Sequence, residues 1–127
     1  MKSDPKECLY CQNNETLHNL MIEIAQLSVS RVFLFKEQTY RGRCLVAYKD
    51  HANDLNELSD EDRNAFMADV TRVTRAMQKA FQPEKINYGA YSDKLSHLHF
   101  HLAPKYVDGP DSVSYTHLRA HETRRHL

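Results

Sequence analysis

The chain has 127 residues, 17 basic and 17 acidic side chains, 8 histidines and 3 cysteines. That length fits one compact domain, and the balanced charge offers no basic field for nucleic acid and no basic amphipathic stretch for a membrane surface. The longest apolar runs are far too short to cross a bilayer.

The N-terminal MKSDPKECLYC has no apolar signal-peptide core, so the expected location is the cytoplasm. An odd cysteine count argues against a secreted disulfide framework. Residues 1–14 are polar and carry Cys8 and Cys11. Residues 20–27 read as a strand, and SRVFLF, 30–35, is β-branched and aromatic and reads as another. EQTYRGR, 37–43, is polar, contains Gly42 and predicts a turn or loop. CLVAY, 44–48, has the length of a buried strand, and Cys44 within it is expected to be a small core residue.

The clearest helix follows. Ser59 precedes Asp60, Glu61 and Asp62, the pattern of an N-cap with acids in the first turn. Phe66, Val70, Val73, Met77 and Phe81 recur at steps of three and four, giving one apolar face that packing alone explains. Pro83 stops the helix. INYGAY, 86–91, reads as a strand interrupted at Gly89, and HLHFHLAP, 97–104, as the strand after it, ended by Ala103 and Pro104. Strands on both sides of a long helix, joined mostly by short links, predict an antiparallel α+β domain.

Alternate strand side chains point to opposite faces, so His97, His99 and His101 share one face and Leu98, Phe100 and Leu102 the other. The apolar set is the core side. Three imidazoles are costly to bury without partners, so the histidine face should look into a solvent-filled cleft or a site. Imidazole there can act as base, acid, nucleophile or zinc ligand. Cys8 and Cys11, two residues apart, can fill two corners of a tetrahedral zinc site. With Cys44 assigned to the core, His51 and one histidine of the triplet are the best candidates for the other two. A redox role for the pair is the weaker reading, because no βαβ pattern surrounds it.

His97-Leu98-His99-Phe100-His101-Leu102-Ala103 resembles the signature of the histidine-triad (HIT) superfamily. GRCLVAYKDH (42–51), ELSDEDRNAFMADVTRV (57–73), INYG (86–89) and PKY (104–106) resemble further pieces of it, so the likeness spans about residues 6–110. The resemblance implies a five-stranded antiparallel sheet with one long helix and a short one, paired into a homodimer through a continuous sheet. It implies a nucleotide hydrolase or nucleotidyl transferase acting on the α-phosphate of nucleoside phosphoramidates or dinucleoside polyphosphates. His99 would be the nucleophile, forming a covalent nucleotidyl-histidine; His101 and Asn87 would contact the phosphate. Zinc-bearing members imply the ligand set Cys8, Cys11, His51 and His97 for a structural zinc, with all four positions filled.

Two features depart from that pattern. Arg43 stands where many triad hydrolases carry a further histidine, and it could pair with phosphate. The loop YSDKLSH, 91–97, lacks the Gly-Gln-Ser/Thr stretch of the phosphoramidase branch, leaving Ser92 and Ser96 as weak counterparts of its leaving-group serine. Phe33–Gln38 borders the region from which the family draws its nucleobase pocket. These departures keep one alternative open, a non-catalytic nucleotide-binding or scaffold protein with this fold, and the histidine spacing alone allows another, a metalloenzyme whose three histidines share one catalytic metal. The Cys8/Cys11 pair argues against the latter. Residues 1–110 are taken as the HIT-like domain and 111–127, which lose all apolar periodicity, as a non-native or disordered tail, so His117, His121 and His126 are not counted as site residues.

Overall fold

Ser59 caps the long helix as its position before three acids predicts: its Oγ accepts from the Asp62 amide at 3.1 Å, and the helix runs Asp60–Phe81. It ends at Gln82 in the left-handed conformation, whose N–H bonds the Gln78 carbonyl, and Pro83 follows. The computed structural model describes residues 8–12, 14–91 and 97–107. The proposed tail, Ser92 and Ser96 lie outside the described residues.

Two short helices, α1 (Leu9–Gln12) and α2 (Glu15–Leu20), precede the sheet. The strands are β1 (Met21–Gln26), β2 (Ser30–Phe35), β3 (Cys44–Tyr48), β4 (Lys85–Gly89) and β5 (His99–Lys105), with the long helix α3 between β3 and β4. The sheet order is β1-β2-β3-β5-β4 and every pairing is antiparallel. This is the α+β architecture expected, with the histidine strand inside the sheet rather than at its edge.

Two apolar layers cover the two faces. On one, Phe66, Val70 and Met77 of α3 pack on Cys44, Val46, Tyr48, Leu98 and Leu102, with Phe100 partly buried beside them. Each such side chain contributes about 1.5–3 kcal/mol on burial. On the other, Cys8, Tyr10, Leu17 and Met21 pack on Phe33, Leu45 and Ala47. β3 is buried on both faces, which is why CLVAY reads as an unbroken apolar run.

Asp69 of α3 is 3% exposed and closes the β1–β2 turn. Its carboxylate accepts from the Val29 amide at 2.9 Å, the Ser28 hydroxyl at 3.0 Å and the Ser30 hydroxyl. In the β2–β3 loop, Gly42 has φ +87°, and a Cβ there would stand 2.8 Å from the Phe81 ring, so glycine is required.

One expectation needs correction. Pro104 does not end β5, which continues to Lys105. Pairing with β3 stops at Cys44↔Leu102, so beyond it β5 has ladder bonds to satisfy only toward β4, and proline is tolerated there. Of the two surroundings expected for the histidine face, a solvent-filled cleft or a site, the second fits: His97 and His99 are 2% and 5% exposed, covered by the N-terminal segment.

Candidate functional site

The pleat of β5 and its register with β3 set the site. His99 stands opposite Ala47 and His101 opposite Leu45, both on the face away from α3. His97 precedes the strand and is anchored through its neighbour: the Leu98 amide bonds the Ala52 carbonyl, and the Tyr48 amide bonds the Leu98 carbonyl.

His97 joins Cys8, Cys11 and His51, whose ligand atoms all lie within 4.8 Å of one another. Its Nδ1 is 3.1 Å from Cys8 Sγ and 3.5 Å from Cys11 Sγ, while His51 Nδ1 is 3.3 Å from Cys11 Sγ. Donors 2.0–2.3 Å from a tetrahedral zinc are separated by about 3.3–3.8 Å, so this set fits the ion. The other ring edge of His97 supports the same use: Nε2–H donates to the Tyr48 carbonyl at 2.8 Å, which leaves the Nδ1 lone pair aimed at the thiols. Burial, then the neighbouring His51, His99 and Arg31, push His97 down to about 4 against the pull of that carbonyl, so the ring is neutral at pH 7. Desolvation first, then the adjacent Cys8, push the Cys11 thiol up to about 11, so metal entry would release a proton there.

His99 is held differently. Its Nδ1 lies 2.6 Å from the carbonyl of His97, a partner that can only accept, so Nδ1 carries the proton. The Nε2 lone pair is therefore free to attack. Burial lowers its pKa, with the carbonyl opposing, so it too is neutral near pH 7. Tyr10 covers it: the tyrosine ring sits 5.5 Å from His99 and 5.4 Å from His97. Arg31 fixes that cover, donating to the Tyr10 carbonyl at 3.0 Å while paired with Glu23 at 2.9 Å. A cavity of about 100 Å³ borders His99, lined also by Asn53, Leu55, Tyr91, His97 and Phe100.

His101 has a third environment. Its ring is 4.9 Å from His99 and stacks on Phe35 at 5.6 Å and 17°. Its buried Nδ1 has no hydrogen-bond partner among the described residues. A buried N–H without an acceptor is costly, which favours the proton on Nε2, an edge that can donate to an anion. Burial, then His99 and Arg43, push His101 down to about 4. Arg43 lies 4.1 Å over the Phe35 ring, on the same face. Asn87 is brought to this face opposite Ala103, exposed and two positions along β4 from the partner of His101, Gly89.

Of the seven predicted site residues, Cys8, Cys11, His51 and His97 converge on one point, and Asn87, His99 and His101 share one face of the sheet. Tyr10 and Arg31 were not anticipated as parts of the site, and Phe35 only as part of the stretch Phe33–Gln38 tied to a nucleobase pocket. A tyrosine inside the Cys-x-x-Cys pair was the available signal for the first; an arginine opening an apolar strand at the same pleat parity as Phe33 and Phe35 was the signal for the second.

Comparison with known proteins places this geometry in context. The HIT domain family profile matches residues 14–108. The chain is 33% identical over 89 residues to adenosine 5'-monophosphoramidase hnt1 of Schizosaccharomyces pombe, covering 66% of this chain and 64% of that protein. It is 29% identical over 92 residues to protein hit of Bacillus subtilis, covering 67% and 63%. The chain therefore spans a little under two thirds of the length of these relatives. A histidine triad protein from Bradyrhizobium japonicum shares the fold at TM-score 0.72 and 21% identity, over 81% of this chain and 77% of that one. A HIT family protein from Bacillus anthracis does so at TM-score 0.66 and 23% identity, over 93% and 88%.

Proposed function

The chain belongs to the HIT domain family, and from that premise we propose that it is a nucleotide hydrolase or nucleotidyl transferase working at the α-phosphate through His99. The observation that carries the reading is the 2.6 Å contact between His99 Nδ1 and the His97 carbonyl. It holds one tautomer, and it strengthens during reaction. When Nε2 bonds phosphorus the ring becomes cationic, and Nδ1–H to carbonyl becomes a charge-assisted bond. Stabilisation that grows toward the transition state is the kind that accelerates chemistry.

In the first step the His99 Nε2 lone pair forms a P–N bond and the bond from phosphorus to the leaving group breaks; a phosphate departs with the electron pair, and an amine with the pair and a proton taken from solvent. Water then attacks phosphorus, the P–Nε2 bond breaks, and the proton of the water passes to solvent while the imidazole is restored neutral. His101 Nε2–H and Asn87 contact the phosphate oxygens, and the same donors serve both displacements. The names of curated relatives that are adenosine 5'-monophosphoramidases support nucleotide chemistry at this site.

Cys8, Cys11, His51 and His97 would hold a zinc ion. With four protein ligands it would supply structure rather than an open coordination position. Its effect on the site would be to pin the segment that carries Tyr10 against His99. The homodimer belongs to the same proposal, and the 54% exposed Tyr88 on edge strand β4 is consistent with a surface that a second copy covers. No helix among the described residues is long and apolar enough to cross a membrane.

The test is turnover of a fluorogenic adenosine phosphoramidate by the parent and by His99→Ala. A loss of at least about a hundredfold, with unchanged folding, is expected when a nucleophile is removed. A nucleotide bound to His99 should be trapped by a quench that spares acid-labile P–N bonds. Nucleotide binding with neither turnover nor adduct would overturn the enzymatic reading in favour of a binding module.

A further inference from the structure

Resting on that reading, we infer that Arg43 makes this site selective for nucleotides whose leaving group is itself anionic, a polyphosphate chain rather than an amine. Arg43 is the last residue before β3 and shares the pleat parity of Leu45, so it lies on the histidine face. Extending the β3–β5 register by one position sets it opposite Ala103, one row beyond His101 and on the side away from His99. Its guanidinium is held in place: it lies 4.1 Å over Phe35, whose ring also stacks on His101. The charge is available to a ligand, because its acidic neighbour Glu37 stands 4.0 Å away with a 64% exposed side chain, a weak surface pairing.

The positive charge continues outward. Lys105 is the next residue of β5 on this face, 9% exposed, with Nζ 4.1 Å over the Tyr40 ring. Lys85 stands opposite it on β4. The nucleophile therefore lies at one end of a row and the cations at the other, with His101 between. Arg43 also acts on His101 electrostatically, helping to hold that ring neutral.

In-line displacement needs the leaving atom on the far side of phosphorus from the attacking nitrogen. An amine leaves a phosphoramidate needing a proton, which a guanidinium cannot supply. A polyphosphate leaves differently. As His99 Nε2 bonds the α-phosphorus, the bridging P–O bond breaks, and the bridging oxygen keeps the electron pair and departs as a terminal phosphate oxygen. The negative charge that develops there meets a fixed bidentate donor. Water then resolves the adduct as before.

The experiment uses the full-length, metal-loaded chain and its Arg43→Gln and Arg43→Lys variants. The first measurement is the ratio of kcat/KM on diadenosine tetraphosphate to that on adenosine phosphoramidate. The ratio should fall about ten- to a hundredfold in Arg43→Gln, the scale of one charged hydrogen bond, and much less in Arg43→Lys, which keeps the charge. The second measurement needs no turnover: inorganic tripolyphosphate should bind the parent at least about tenfold more tightly than orthophosphate, and Arg43→Gln should remove most of that preference. If nucleotidyl-His99 still forms from both substrates but the ratio stays within about threefold of the parent, Arg43 does not select the leaving group and the proposal falls while the enzymatic reading stands. No preference for tripolyphosphate in the parent would overturn it as well. If the parent turns over neither substrate and forms no adduct, the enzymatic reading fails and takes this inference with it.

Discussion

If zinc fills the Cys8, Cys11, His51 and His97 set as proposed, removing it should release the segment 8–12 while leaving the rest of the fold intact. Ordering five residues costs about 1–2 kcal/mol each in backbone entropy, some 5–10 kcal/mol in all. Against this stands the burial of Tyr10, which is 3% exposed; an aromatic side chain of its size returns about 4–6 kcal/mol. The hydrogen bond from Arg31 to the Tyr10 carbonyl adds about 1–3 kcal/mol. The two sides nearly cancel, so the segment alone is marginally held. A four-ligand zinc site contributes roughly 10 kcal/mol where it has been measured in small domains, and a fraction of that decides the balance.

Hydrogen–deuterium exchange read by mass spectrometry before and after chelation checks this. After chelation the amides of 8–12 should exchange at least about a hundredfold faster, equivalent to some 2.7 kcal/mol of lost protection. Those of α3 should hardly change, because the core it forms with β3 and β5 includes no residue of the segment. Unchanged protection at 8–12, with metal loss confirmed by elemental analysis, would show that Tyr10 burial suffices and that the metal does not position it.

Asp69→Ala should destabilise the fold by about 3–5 kcal/mol, because it leaves the Val29 amide and the buried Ser30 hydroxyl without their acceptor; thermal melting should show a fall of roughly 10–20 °C, and a shift of only a few degrees would mean that water replaces the carboxylate. Stability should fall as pH drops from 6.5 toward 4, because burial, His99 and Arg43 hold His101 near 4 in the folded state against 6.5 when unfolded, so the unfolded chain binds the extra proton in that window. In denaturant titrations across that window, His101→Phe should remove up to one proton from the slope, about 1.4 kcal/mol per pH unit; an unaltered slope would place the linkage on other groups.

The parts of this site that the sequence made legible are those with a short-range rule behind them. Three histidines at period two announce a shared face because a strand has only two. Ser59 with three acids announces a helix start because four amides there need acceptors. Cys8 and Cys11 announce a cluster of metal-ligating type because two thiols at that spacing can take two corners of one site, and the structure brings His51 and His97 to them. What stayed hidden was set by long-range contact. Leu9–Gln12 and Glu15–Leu20 form α1 and α2, too short and too polar to show a period, and Tyr10 and Leu17 within them pack in one cluster with Phe33 and Leu45. Asp69 left a readable trace: it stands three residues after Phe66 and four before Val73, inside the apolar stripe, where a carboxylate must find buried donors. Pro104 misled because the rule it invokes depends on which neighbours remain at that point of the strand.

The same distinction explains how three identical side chains on one face come to different tasks. The pleat gives His97, His99 and His101 a common direction and nothing more. What lies over each ring separates them. Two thiols and His51 converge on Nδ1 of His97, while the Tyr48 carbonyl takes the proton at its other edge. The His97 carbonyl accepts a hydrogen bond from Nδ1–H of His99 and leaves the Nε2 lone pair bare. No group pairs with Nδ1 of His101 among the described residues, where an aromatic ring and an arginine provide the surroundings instead. The proposed roles of ligand, nucleophile and donor thus rest on tautomers imposed by backbone oxygens and covering side chains. Moving the Tyr48 or His97 carbonyl would reassign those tautomers without altering any histidine.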